Sequence, residues 1–287
     1  MINQFKEYYS KTYIKLEIVK LLKFKELALL PHKEKIPEFS KKAYAVRNLT
    51  AGSLDFLNQN YSAYDISNRP YRMYLSLATF KQSEQPVFTY HPTKRKEQQK
   101  KFIKNFMLNP NNYVESYDFA IDLDEEKFKD GYKQATKIKN IFDEYNLPYI
   151  LKPSGGKDGG FHFRIQGQHF SREITTPTQM VKLTYWINKE LADIEYLPAI
   201  DLSLFDIRRI FGCPYSLRYN KAGWRVSLPL TDKQFENYTP EDIELTNVMK
   251  NVVMKNRGLC IHNQGKTPKI KEFVKEYYYP DTAEKSK

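Results

Sequence analysis

The stretch Tyr117-Asp118-Phe119-Ala120-Ile121-Asp122-Leu123-Asp124 constrains the chain more than any other. Tyr117, Phe119, Ile121 and Leu123 alternate with Asp118, Ala120, Asp122 and Asp124, the period of a half-buried strand. Such a strand must bury its apolar side under another layer, and it turns Asp122 and Asp124 the same way on the other side. Strand rise separates the two carboxylates by roughly 7 Å along the chain, which lets them ligate one or two divalent cations, magnesium above all. Asp is disfavoured in strands, so the pair calls for a reason, although two exposed acids also arise by chance.

After Asp124, the residues Phe128, Tyr132, Ala135, Ile138, Phe142 and Tyr145 recur at helical spacing until Asn146-Leu147-Pro148 ends the helix. Pro148 to Lys152 reads as a short strand. A glycine-rich loop, Ser154 to Gly160, leads into a strand Phe161 to Ile165, whose alternation turns His162 and Arg164 away from the core. The loop offers free N–H groups, the Ser154 hydroxyl and Lys157, which suit a phosphate cradle; a plain hairpin turn is the alternative. It is not a Walker loop, because its glycines run into a strand and not a helix.

A third stretch, Asp206 to Gly223, places an acidic residue before Arg208, Arg209, Arg218 and Lys221. Fixed cations beside a metal-binding acid suit a triphosphate pocket; ordinary surface ion pairs are the alternative.

Elsewhere, Tyr13 to Leu30 reads as an amphipathic helix carrying Ile14, Ile18, Leu21 and Leu22, and Tyr71 to Phe80 as a strand or strand pair. Lys94-Arg95-Lys96, Lys100-Lys101 and Lys104 form a basic stretch that either binds phosphates or is a solvated helix face. Thr176-Pro177 opens a helix with the stripe Met180, Leu183, Ile187 and Leu191. Strands are expected around Leu217 and from Trp224 to Leu228, a helix start at Thr239-Pro240-Glu241-Asp242, and fraying at Ala283 to Lys287.

At 287 residues the chain can bury a substantial core as one lobe or two. Lys plus Arg outnumber Asp plus Glu by 46 to 34, and the net charge of +12 favours a polyanionic partner, nucleic acid before anionic lipid. No apolar run is long enough to span a membrane, and Met1-Ile2-Asn3-Gln4-Phe5-Lys6 lacks the apolar core of a signal peptide, so a cytoplasmic location is expected. Cys213 and Cys260 are too far apart to suggest a disulfide framework, and Cys260 with His262 falls short of a tetrahedral zinc set.

Taken in order, the three stretches resemble the signature of the archaeo-eukaryotic primase superfamily, which includes small primase subunits, primase-polymerases and the polymerase domains of bacterial repair ligases. That signature is an Asp-x-Asp pair, a Ser/Gly-rich stretch leading to His, and a further acid followed by a basic segment. The resemblance covers roughly Tyr117 to Leu230. It implies an α+β fold in which a small α/β unit and an RRM-like unit flank a cleft holding the active site, with the region before about Asn112 as one wall. The corresponding division is 1–115, an N-terminal helical and α/β region; 116–230, the catalytic core; and 231–287, a helical segment and tail.

Carried over by position, Asp122, Asp124 and Asp206 would hold Mg2+ or Mn2+ in a two-metal site, with Asp201 competing with Asp206 for the third place. Ser154 and His162 would contact the phosphates of the incoming nucleotide. Pro214-Tyr215-Ser216-Leu217, with Lys221 and Gly223, follows the family's basic segment, which makes Arg209, Arg218 and Lys221 the nucleotide contacts; Arg208 can replace Arg209, and Arg72 can reach nucleotide or template. The implied activity is template-dependent nucleotidyl transfer on single-stranded or primed DNA from nucleoside triphosphates. Extension without priming, and a silent nucleic-acid-binding module, are the alternatives. A helicase, ligase or CRISPR-type partner stays open. Seven residues separate Ser154 from His162, more than the compact Ser-x-His of many primases, and the zinc element of small primase subunits is lacking.

Overall fold

Two short helices, α1 (Ile2–Ser10) and α2 (Thr12–Leu22), open the chain in a computed structural model that describes residues 2–32, 36, 39, 43, 45–50, 52–84, 88, 92–170, 176–203, 206–250 and 260–278. The helix expected to reach Leu30 ends at Leu22: Phe24 turns the chain with a left-handed φ of 57°, and the following residues leave as strand β1 (Glu26–Pro31). Leu27, Ala28 and Leu29 are all fully buried, because β1 lies inside a sheet, and an apolar run without alternation carries no period to separate strand from helix.

β2 (Val46–Thr50) and β3 (Tyr71–Ser76) flank β1, both antiparallel. Between them runs α3 (Leu54–Ala63), started by the Ser53 hydroxyl, which accepts from the Phe56 N–H at 3.2 Å. The expected strand or strand pair forms two consecutive strands in different sheets: β4 (Ala78–Phe80) follows β3 and pairs with β5 (Val114–Tyr117) across an excursion through α4 (Pro92–Leu108) and α5 (Pro110–Tyr113). β6 (Phe119–Leu123), α6 (Phe128–Glu144), β7 (Tyr149–Pro153), β8 (Phe161–Ile165) and α7 (Pro177–Ile194) follow close to where the sequence places them, except that the strand expected from Tyr117 to Asp124 is broken at Asp118, Tyr117 ending β5 in another sheet and Asp124 following β6. β9 (Ile210–Gly212), the hairpin β10 (Leu217–Asn220) and β11 (Gly223–Val226), and helices α8 (Asp232–Glu236), α9 (Leu245–Lys250) and α10 (Ile270–Tyr277) complete the described chain. At Thr239 the expected helix start makes a single 3-10 turn, in which Asp242 accepts from the Thr239 N–H at 2.8 Å, before α9 begins. The expected frayed tail lies outside the described residues.

The mixed helix and sheet content makes this an α+β fold. One antiparallel sheet has the order β2-β1-β3-β9, and a second has the order β6-β8-β7. β9 therefore brings a late segment back to the edge of the early sheet, with Tyr74 paired to Gly212. α1 is held to the same late segment: the Tyr8 hydroxyl donates to the Tyr215 carbonyl at 2.9 Å, and the Tyr9 hydroxyl accepts from the Leu217 N–H at 2.9 Å.

In the second sheet, Phe119, Ile121, Phe161, Phe163, Tyr149 and Leu151 lie on one face and are fully buried. Phe142 of α6 contacts Phe119 and Phe163, and Phe273 of α10 contacts Phe119 and Phe142. Each such ring contributes about 1.5–3 kcal/mol through burial, which makes this face the anchor for the opposite one.

Candidate nucleotide and metal site

The opposite face of the second sheet carries a polar row. β6 pairs Asp122 with His162 of β8, and β8 pairs His162 with Lys152 of β7. On the outer side of β6, Ile200 bridges to Leu123; Asp201 N–H donates to the Asp122 carbonyl at 2.8 Å and Asp124 N–H to the Ala199 carbonyl at 2.8 Å. Asp201 therefore stands across from Asp122, and the sheet displays Asp201, Asp122, His162 and Lys152 side by side. Cross-strand neighbours of this kind have Cβ atoms about 4.5–5.5 Å apart, and along the row His162 contacts both Asp122 and Lys152.

His162 does turn away from the helical layer, as the alternation requires, but it is not exposed: only 5% of it meets solvent. The edge strand β9 covers it, with the Phe211 ring 4.3 Å away. Gly212 belongs to the same cover, since a Cβ there would come within 2.9 Å of both His162 Cε1 and Arg218 Nη2. The Lys152 ammonium lies 2.6 Å from His162 Nδ1 and donates to Ser227 Oγ at 2.7 Å, while His162 Nε2 lies 3.2 Å from Asp122 Oδ1.

Burial, with Arg218 beside it, pulls the Lys152 pKa well below that of an ordinary lysine. Burial also lowers His162, to about 4, and leaves a neutral imidazole at pH 7. For Asp122, burial favours the neutral acid, but His162, Lys152 and Arg218 outweigh it and hold the carboxyl below its usual range. Lys152 beside Nδ1 and Asp122 beside Nε2 bracket the imidazole along the row.

Two of the other acids, Asp124 and Asp201, face cations, and Asp206 is held by a backbone N–H. Asp124, with 60% of its side chain exposed, receives Lys157 of the glycine-rich loop at 3.0 Å, and the same ammonium reaches Glu126 at 3.0 Å. Asp201 accepts from Ser203 and lies 3.4 Å from Arg209 Nη2. Asp206 accepts the Arg208 N–H at 2.8 Å within its own turn, and its carbonyl takes the Tyr117 hydroxyl at 3.0 Å. Among the described residues, no three acidic, histidine or cysteine side chains converge on a metal-sized space as they stand. The donor chemistry nevertheless fits a hard divalent ion: Asp122, Asp124 and Asp201 are all carboxylates, and the Lys157 ammonium already occupies a cation position against Asp124. Joint ligation requires Asp124 and Asp201 to exchange these partners for the ion.

The glycine-rich loop is packed as well as open. Gly131 of α6 faces Gly159, and a Cβ on Gly131 would stand 1.9 Å from the Gly159 carbonyl oxygen. Ser154 Oγ accepts from the Gly156 N–H at 3.3 Å. Gly155, at φ +75°, lies under Arg218, and Asn220 of the β10–β11 hairpin donates to the Gly156 carbonyl at 3.1 Å. Exposed Lys221, next along that hairpin, is thereby carried to the loop. Arg218 Nη1 donates to the Tyr74 hydroxyl at 2.6 Å, and Arg72 and Arg218 approach the Tyr74 ring at 5.7 and 4.6 Å.

Lys152 and Tyr74 are the additions that sequence reading misses. Lys152 shares its parity with Ile150 on a strand buried on both faces, a lysine where only a paired or ligand-facing one is tolerated, and that is the available signal. Tyr74 gives none. A separate cleft of about 410 Å³ opens at the other end of β6, around buried Asp118, and includes none of the row.

No protein-family model matches the chain, and no curated protein matches it. Among solved structures, the chain is similar to the polymerase domain from Mycobacterium tuberculosis Ligase D, determined in complex with DNA. The TM-score is 0.50 and the identity 12%, over 88% of this chain and 91% of that one. At that identity the likeness is one of fold.

Proposed function

We propose that the chain is a template-dependent nucleotidyltransferase of the primase-polymerase kind, joining a 3′-hydroxyl to the α-phosphate of an incoming nucleotide with release of pyrophosphate. The observation that carries this reading is the row of Asp201, Asp122, His162 and Lys152, with Asp124 directly after the strand that carries Asp122 and Arg218 above the row. The shared fold with a polymerase domain supports it.

In this reading Asp122, Asp124 and Asp201 hold Mg2+ or Mn2+; Asp201 takes the third place because backbone pairing sets it across from Asp122, whereas Asp206 braces its own turn. The bound metal would neutralise triphosphate charge and lower the pKa of the attacking hydroxyl. Arg218 holds phosphate oxygens, and His162, fixed by Lys152 at Nδ1, joins it once its Nε2 exchanges Asp122 for a phosphate oxygen. Lys157, displaced from Asp124, turns with the free N–H groups of the Ser154 loop toward the same phosphates, with Lys221 beside them. Arg209 orients Asp201, and Arg72 extends the basic surface along β3.

Extension of a labelled DNA primer on a single-stranded template, with magnesium or manganese, tests the proposal. Wild-type protein should extend, and the Asp122→Ala/Asp124→Ala double variant should not; extension by the double variant overturns the reading. Asp201→Asn should lower the rate on the order of a hundredfold or more and Asp206→Asn much less. Omitting the primer separates chain initiation from extension alone.

A further inference from the structure

Helix α4 has two unlike sides. Phe102 and Phe106 pack on Phe80 and Tyr113, and Arg95 and Gln99 both donate to the Arg47 carbonyl at 2.9 Å. At 100° per residue these four side chains fall on one narrow stripe. Lys94, Lys96, Lys100, Lys101 and Lys104 lie on the remaining surface, interspersed with Gln98 and Asn105; all five are exposed, and Glu97 is the helix's single acid.

None of the five lysines is ion-paired among the described residues, whereas Lys20 and Lys139 elsewhere pair with an acid on their own helix. Lys96 and Lys100, Lys100 and Lys104, and Lys101 and Lys104 are also like-charged neighbours at helical spacing, an arrangement that destabilises a helix. Charge kept against that cost, in a row about 15 Å long, suits a linear polyanion. A membrane-binding helix would aim an apolar stripe outward, but Phe102 and Phe106 of α4 pack inward, and its exposed apolar residues are Met107 and Leu108 at the C-terminal end alone, beyond the lysines.

The helix is also tied to the proposed active site. Arg47, which accepts the Arg95 and Gln99 bonds on its carbonyl, pairs through its guanidinium with Glu26 and donates to the Arg208 carbonyl at 3.1 Å. Arg208 lies in the turn between Asp206 and Arg209, and Arg209 reaches Asp201.

We propose that the exposed lysine face of α4 binds the phosphodiester backbone of a nucleic-acid strand serving the active site, resting on the reading above only for the strand's role in synthesis. The face supplies affinity without sequence preference, since lysine contacts to phosphates read no base.

The test measures binding of a labelled single-stranded DNA by fluorescence anisotropy between about 50 and 200 mM salt. The variant carries Lys→Gln at all five positions, with a five-fold Lys→Arg variant as the charge-preserving control. Each lysine in contact contributes about 0.7 to the slope of log affinity against log salt, so the Gln variant should lose about 2 or more from that slope. Its affinity at the low-salt end should fall at least about tenfold. The Arg variant should retain both, and circular dichroism should show both variants folded. A Gln variant with the wild-type slope overturns the proposal, as does loss of binding to phosphatidylserine vesicles with DNA binding intact. DNA binding lost with the lysines in a protein that shows no primer extension sustains the surface and removes only the catalytic reading.

Discussion

His162 has solvent on almost none of its surface, a lysine on one ring nitrogen and a carboxylate on the other. Its folded pKa of about 4 lies below the ordinary 6.5, so as pH falls the unfolded chain takes up the proton first. The stability it contributes is complete above pH 6.5 and drains away down to about 4, by about 3 kcal/mol at most. His162→Gln should flatten the dependence of Tm on pH across that window; an unchanged slope would show the imidazole to be solvated. The sequence placed His162 on the correct face but could not reveal its burial, because the cover comes from Phe211 and Gly212, distant in sequence and unmarked by any periodicity. Lys152 escaped notice for the same reason: Ser227, which holds it, has no sequence relation to β7. Asp201 was legible only as a competitor of Asp206, since a single isolated bridge at Ile200 sets its place.

At the scale of elements, β6, α6, β8 and α7 could be read in advance because each has one polar side and one packed side, the condition under which periodicity is informative, whereas β7, buried on both faces, was marked by its flanking breakers. β1 failed that condition, being interior to its sheet. The glycine-rich loop shows a limit of another kind: glycine there serves close approach as well as backbone freedom. Gly131→Ala adds a methyl 1.9 Å from the Gly159 carbonyl oxygen, so α6 or the loop must move. We expect a loss of about 1–3 kcal/mol in urea unfolding, and weaker nucleotide binding in the remaining folded protein, because the same loop positions Ser154 and Lys157. Unchanged stability would mean that the helix and loop have room to separate.

Across the whole molecule, Asp118 ties the two sheets together. It receives Lys25 at 3.0 Å, from the turn into β1, and Arg164 of β8 at 2.5 and 2.6 Å, along with the Gly167 N–H at 2.9 Å. Burial alone would raise the Asp118 pKa, but the two cations outweigh it and hold it below the usual carboxylate range, while burial lowers Lys25 to about 8. Asp118→Asn strands two buried cations and should cost about 3–5 kcal/mol; adding Lys25→Met should recover part of the loss, and a double variant no better than the single would deny the coupling. The hydroxyls of Tyr8 and Tyr9 add a dimension of time. The Tyr8 partner lies 207 residues downstream, so at a synthesis rate of about 5–20 residues per second the first helix waits roughly ten to forty seconds on the ribosome before its acceptor emerges. Until then the aromatic rings of this segment lack the late partners that cover them in the folded chain.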